Sequence, residues 1–337
     1  MGDKRGNGRA YLLILIGIAA LVIGVGLSIS YGAKNINILT IIQSVFYKLE
    51  DVDSLIIRDI RIPRAIAGVL VGGFLAVSGA IMQGITRNPI AEPSVMGITQ
   101  GSTFAIAVAF VIQEVSPNLE IGSFGRMVFA FLGASISGIL VYIISSRSGK
   151  KVDPIKLVLA GTALGTLLIS LALGISMYFN LSQQLSFWIF GGLVSASWEG
   201  VFLLIVVGLI GVTAAMIMAP KITILSLGED VAIGLGENTN RVRAISILIV
   251  IILTGASVAV AGNIIFLGLI IPQIVKAIVG VDYKVIIPSS FVLGAVLLIY
   301  SDIVARTINL PYETPIGSLT ALLGVPMFIY LVRREVR

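Results

Sequence analysis

The chain contains neither histidine nor cysteine among its 337 residues. No disulfide, zinc site, haem ligation or imidazole proton relay can therefore be built from it alone. The phosphate-binding loop GxxxxGK[ST] is missing too, because Gly149-Lys150-Lys151 lacks the leading glycine and the magnesium-binding hydroxyl. The remaining polar groups gather in a few places. Arg61-Ile62-Pro63-Arg64 heads one apolar run, and Arg306 follows another. Thr162, Thr166 and Ser170 recur every four residues and so share one helix face. They either line a passage or bond back to their own helix, and Met82 and Gln83 carry the same two readings. The longest polar stretch is Lys221 to Arg243, KITILSLGEDVAIGLGENTNRVR, with Leu-Gly pairs at 227–228 and 235–236. Two short helices broken at glycine explain that spacing, since glycine stops a helix at little cost. Such a platform between two spans suits a partner.

The elements that hold these groups follow from composition. Hydrophobic residues make up 57% of the chain, charged residues 12%, and mean hydropathy is +1.06, outside the range of soluble domains. A helix needs about 20 apolar residues to cross a bilayer. Ten runs qualify: 11–30, 65–84, 94–112, 127–145, 157–177, 201–219, 244–262, 264–279, 285–302 and 315–332. The eighth is short and interrupted by Pro272. The 37 glycines predict close helix packing through small residues. The fold class is an all-α polytopic membrane protein, read as one transmembrane domain over 1–337.

With both ends inside, only Lys34, Lys48, Arg58, Arg61, Arg64, Arg126 and Arg306 fall in outer segments, leaving 16 of the 23 Lys and Arg inside. The positive-inside rule supports that topology. It also accounts for the net charge of +6 without any nucleic-acid partner. The first span lacks a small-residue cleavage site and is read as retained. Trp188 and Trp198, flanking the sixth span, fit an interfacial aromatic belt. Arg87-Asn88-Pro89 and Pro93 shape an inner loop.

The span interiors hold no Lys, Arg, Asp or Glu; Asp302 closes the ninth and Lys276 lies near the end of the eighth. That argues against a proton-coupled carrier, a path for a bare hard cation or an intramembrane enzyme. Aligning 66–97 with 249–280, an offset of 183 residues, pairs Gly72 with Gly255, Gly79 with Gly262, Pro89 with Pro272 and Gly97 with Gly280. The copies run in opposite senses across the membrane, the inverted repeat of many transporters. Transport is then passive, coupled to an ion held by backbone carbonyls, or driven by a separate ATPase docked on the 221–243 platform, which favours the last.

Several long motifs occur in a specific order. They are RIPR at 61–64, GAIMQGITRNPIAEPSVMGITQGS at 79–102, FWIFGG at 187–192, SLGEDVAIGLG at 226–236, GNIIFLGLIIPQIVKAIVGVDYK at 262–284 and SDIVARTINLPYETPIGSLTALLGVPMFIYL at 301–331. Together they resemble the permease subunits of ATP-binding-cassette importers for ferric siderophores, haem and cobalamin, from about Ile60 to Leu331. Gln273 and Lys276 stand where members often have His and Arg.

The resemblance implies a cobalamin-importer-permease-like fold in a prokaryotic cytoplasmic membrane. It implies two paired permeases, homo- or heterodimeric, two cytosolic ATPases that bind ATP and Mg, and an extracytoplasmic binding protein. The chain itself then carries no cofactor, no metal and no catalytic residue. Arg61, Arg64 and Arg306 match the family's docking residues for carboxylates on the binding protein, against the plainer reading of headgroup anchors. Leu227, Gly228, Glu229, Ala232, Leu235 and Gly236 match its coupling helices, with Glu229, Asp230 and Glu237 on the rim. A ferric siderophore is the expected cargo, moved by alternating access. Cobalamin or haem, and behind them an ion-coupled secondary carrier, are the alternatives.

Overall fold

The computed structural model describes residues 4–32, 40, 41, 43, 44, 51–116, 118–146, 154–310 and 312–335. Lys34, Lys48, Arg147, Lys150, Lys151 and Arg337, used in the charge count, lie outside them, as does Gly149. The described residues form helices and no strands. In chain order these are α1 (Lys4–Ser30), α2 (Ile62–Thr86), α3 (Ile98–Val115), α4 (Ser123–Ser145), α5 (Pro154–Tyr178), α6 (Ser182–Phe190), α7 (Trp198–Leu227), α8 (Glu229–Gly234), α9 (Thr239–Ala261), α10 (Leu267–Val279), α11 (Tyr283–Thr307) and α12 (Ile316–Glu335). A single α turn, Val52–Leu55, and a π-helical turn, Ile56–Arg61, lead into α2.

Eight of these helices are long and apolar enough to cross a membrane, and α10 and α12 are shorter apolar helices. They coincide with the ten predicted runs. Local chemistry sets their ends: Ser197, Asn238 and Asp282 accept backbone N–H bonds at the starts of α7, α9 and α11. The polar interruption differs from its prediction. The helix of the sixth span does not stop near 219 but continues through Pro220 to Leu227, so the platform holds one short helix, α8, instead of two. Proline removes one N–H and crowds the carbonyl of the preceding turn, but the apolar residues that follow, Ile222 and Leu225, are buried and carry the helix on.

Helices α2 and α9 are the most enclosed, while α1 and α5 expose most of their surface. At Gly79 of α2 an added Cβ would collide with the backbone of Gly268 in α10, so only glycine permits that approach. Helices α2 and α9 run antiparallel. Arg243, early in α9, reaches the Ile85 carbonyl at the end of α2, while Gly192 joins the Ala261 carbonyl to a cavity also lined by Arg64. This is the inversion that the repeat requires. Both copies also break at a glycine with positive φ, Gly97 (69°) and Gly280 (89°). They differ between, since α2 is continuous across Gly79 whereas α9 ends before Gly262 and α10 begins anew.

Candidate functional site

At one end of the bundle α1 finishes, α2 starts and α11 finishes, and the three arginines meet there. Helix α1 ends with carbonyls that have no partner within the helix. Arg61 donates to those of Ile29 (2.6 Å) and Ser30 (2.9 Å), and Arg306 to those of Ser28 (3.2 Å) and Tyr31 (3.4 Å). Cations at a helix C-terminus also complement its dipole. Arg64 is bound from two sides. Its Nε and Nη2 donate to Asp302 Oδ1 (3.1 and 2.8 Å), and its Nη1 and Nη2 to the two oxygens of Glu313 (2.8 and 2.9 Å). Asp302, wholly buried, also pairs with Arg306 at 3.0 Å, one helical turn away. Arg61, Arg64 and Arg306 are thus gathered at one end, but they point inward and are only 5%, 5% and 6% exposed.

Asp302 and Glu313 complete this cluster. The charged end of the ninth span signals the first, and nothing local signals the second. Trp198 belongs to the same end and donates from Nε1 to the Arg58 carbonyl (3.0 Å). Trp188 departs from the belt reading: it is buried in a cluster with Ile106 of α3, Ala130 of α4 and Leu185 of α6.

The opposite end carries the platform. Gly228 turns the chain between α7 and α8 with φ 150° and ψ 149°, a region open essentially to glycine alone. Ala232 is buried against the bundle, while Leu227 (60% exposed), Val231, Ile233 and Leu235 (64% exposed) project outward. Gly236 follows in a left-handed conformation, φ 80°. Glu229 sits inward of the expected rim. It pairs with buried Arg243 at 3.2 Å and accepts from Thr239, so it fastens α8 to α9. Glu237 pairs with Lys221 at 3.5 Å, and Asp230 remains at the surface. The result is a small apolar knob held on a charged footing.

The five candidate path residues divide into two groups. Thr162, Thr166 and Ser170 lie along the exposed face of α5. Thr162 and Thr166 bond back to Val158 (2.7 Å) and Thr162 (2.8 Å). Met82 and Gln83 are buried inside α2. Pro272 has no N–H, so the Gly268 carbonyl in α10 loses its normal donor. Gln83 Nε2 fills that place, at 3.3 Å from Gly268 and 3.1 Å from Leu269. Its Oε1 accepts from Gln273 (2.7 Å) and Lys276 (3.1 Å), and Gln273 also donates to the Pro89 carbonyl. Gln83 therefore pins α10 to α2 at the point where Pro272 interrupts its hydrogen bonds, and the two residues that depart from the family pattern complete the pin.

Glu92 fixes the other end of α10. Its Oε1 accepts from the Phe266 N–H at 2.6 Å, where Phe266 holds φ 70°. Burial pushes this carboxyl up from 4.5 to about 7, against the lowering effect of its bonds to Phe266 and Ser94. A carboxyl whose folded pKa is raised destabilises the fold as pH rises through that window. Glu92→Gln is therefore expected to match the wild-type melting temperature near pH 5 and to exceed it above about pH 7. Thermal unfolding across that range in detergent checks this. A parallel pH dependence in both proteins would overturn it.

No cluster of three or more His, Cys, Asp or Glu able to hold a metal occurs among the described residues. The FecCD transport family matches residues 20–334. The chain is 47% identical over 329 residues to the iron(3+)-hydroxamate import system permease protein FhuB of Bacillus subtilis (strain 168), covering 97% of this chain and 84% of that one. It is 37% identical over 331 residues to the Fe(3+)-citrate import system permease protein YfmD of the same organism, covering 98% and 97%. A solved metal-chelate type ABC transporter in an inward-facing conformation superposes with TM-score 0.81 at 27% identity, covering 95% of this chain and 98% of that one.

Proposed function

The chain belongs to the FecCD transport family, and from that membership we propose that it is the transmembrane permease subunit of an ATP-driven importer for a ferric siderophore. The observation that carries the cargo class is the 47% identity, sustained over 97% of the chain, to an iron(3+)-hydroxamate import permease. A ferric hydroxamate is accordingly the first ligand to test.

The remaining assignments are part of the same reading. A single permease domain pairs with a second permease in the cytoplasmic membrane, with both termini and α8 in the cytosol. Two ATPases that bind ATP and Mg dock beneath, and the knob of Leu227, Val231, Ile233 and Leu235 around Gly228 enters a cleft in one of them. The apolar core and polar footing suit such an interface. Thr162, Thr166 and Ser170 face the path between the two permeases from the exposed side of α5, with Thr162 and Thr166 still bonded to their own helix. Met82 and Gln83 serve the path from behind as packing. Arg61, Arg64 and Arg306 underlie the outer face on which a binding protein docks, with Arg64 reached through the cavity beside Glu313.

The test is uptake of radiolabelled ferric hydroxamate, ferric citrate and catecholate chelates into proteoliposomes. These hold the chain with its second permease, ATPase and binding protein, with and without internal ATP. ATP- and binding-protein-dependent uptake of one chelate is expected. Uptake without ATP would replace the importer with a carrier. An assembled complex moving cobalamin or haem but no iron chelate would replace the cargo.

A further inference from the structure

Arg64 holds one deep carboxylate and one shallow one. Asp302 lies on the long helix α11 and is wholly buried, whereas the Glu313 side chain is 37% exposed and comes from the segment between α11 and α12. A cavity of about 190 Å³ opens beside this pair, lined by Arg64, Glu313, Ser186, Gly191 and Thr314. The rest of its lining is largely apolar, with Phe190, Leu193, Val194 and Ile316. The two carboxylates use different edges of the guanidinium group. Asp302 takes Nε and one hydrogen of Nη2, while Glu313 takes Nη1 and the other.

We propose that Glu313 is an internal stand-in for an acidic side chain of the docking protein, and that docking exchanges it out of the Arg64 cavity. This rests on the docking reading given above. An incoming carboxylate would take the Nη1 and Nη2 hydrogens vacated by Glu313, in a bidentate geometry kept aligned by the hold of Asp302 on the other edge. The exchange replaces one carboxylate by another, so Arg64 is never left as a buried unpaired charge, the costly outcome for such a group. A resident partner also screens Arg64 from other anions, which favours a partner able to fill the apolar surround as well as supply the charge.

Release of Glu313 carries the event inward. Its segment leads directly into α12, and Thr314 is tied by its N–H to the Ala305 carbonyl of α11 (3.0 Å). At the start of α12 a Cβ on Gly317 would meet the Phe190 carbonyl at the end of α6. Loss of the Glu313 tether therefore frees the junction where α12 meets α6, the two elements that border the cavity.

The test uses the permease assembled with its ATPase in nanodiscs and titrated with its binding protein. Glu313→Gln removes the competing charge and leaves Arg64 on Asp302. It is expected to tighten binding by at least about tenfold, the lower range for a close interfacial charge pair. Because the chain has no cysteine, Tyr312→Cys carries a single spin label on the same segment. With Glu313 present, that label should become more mobile when the binding protein docks. Unchanged or weaker binding by Glu313→Gln overturns the exchange. So does a label that docking leaves immobile, which decides the matter alone if the variant fails to assemble. No binding to the wild-type complex would instead overturn the docking reading itself.

Discussion

Gly228→Val is expected to reduce ATP-driven uptake to background while the helix bundle remains folded. The backbone at this residue combines φ 150° with ψ 149°, and holding a side chain there costs on the order of 1–3 kcal/mol. Space is not the obstacle, because an added Cβ would meet only Val231 Cγ2, at an ordinary 3.6 Å. The cheapest relief is to rotate α8 about the 228 hinge. That moves Leu235 and Ile233 away from Leu227 and breaks up the knob. Gly228→Ala should then be nearly as damaging as valine, whereas a defect caused by crowding would grow with side-chain size. Uptake and ATP hydrolysis measured on the same proteoliposomes separate the outcomes. Continued hydrolysis without uptake is the expected result, and full uptake by either variant would remove Gly228 from the coupling role.

Asp302→Ala should be the most destabilising single change at the arginine end. The carboxylate is wholly buried and serves Arg64 and Arg306 together. Removing one member of a buried ionic group costs about 3–5 kcal/mol, because the remaining charge stays desolvated without a partner. Two guanidinium groups would be left, with Glu313 as the carboxylate on Arg64 and Ser28 and Tyr31 as neutral acceptors on Arg306. A large fall in melting temperature, with poor recovery of the monodisperse protein, is expected. Wild-type stability would refute the network. The same network complicates the obvious docking experiment. Replacing Arg61 and Arg64 by glutamate would crowd new carboxylates against Asp302 and Glu313, so lost uptake alone would not distinguish failed docking from a disrupted fold. Glu313→Gln is the milder probe.

Much of this architecture is legible from local pattern. The ten apolar runs become ten apolar helices, because a bilayer-length stretch must satisfy its backbone internally whatever its neighbours are. The two Leu-Gly pairs locate the knob, since glycine marks a chain reversal wherever the backbone needs one. Misreadings arise where packing overrides the local cue. Pro272 looks like an interruption, yet α10 runs through it, with Gln83 donating to the Gly268 carbonyl that the proline cannot serve. Pro220 looks like a stop, yet α7 continues because Ile222 and Leu225 bury themselves against the bundle. Glu229 looks like a rim charge, yet α9 brings Arg243 beneath it.

By itself the sequence determined the class of molecule, the number and approximate limits of its apolar helices, the lack of histidine and cysteine, and the position of the platform. Each of these depends on residue type or on spacing within one segment. Only the tertiary structure decided what the polar residues do. Arg64 finds Asp302 across 238 residues and Glu313 across 249, and Gln83 meets Lys276 across 193. A hydropathy profile has no term for which helices touch. The close glycine approaches bring these groups together, and away from bulk water Arg64, Asp302 and Gln83 take the partners that packing presents.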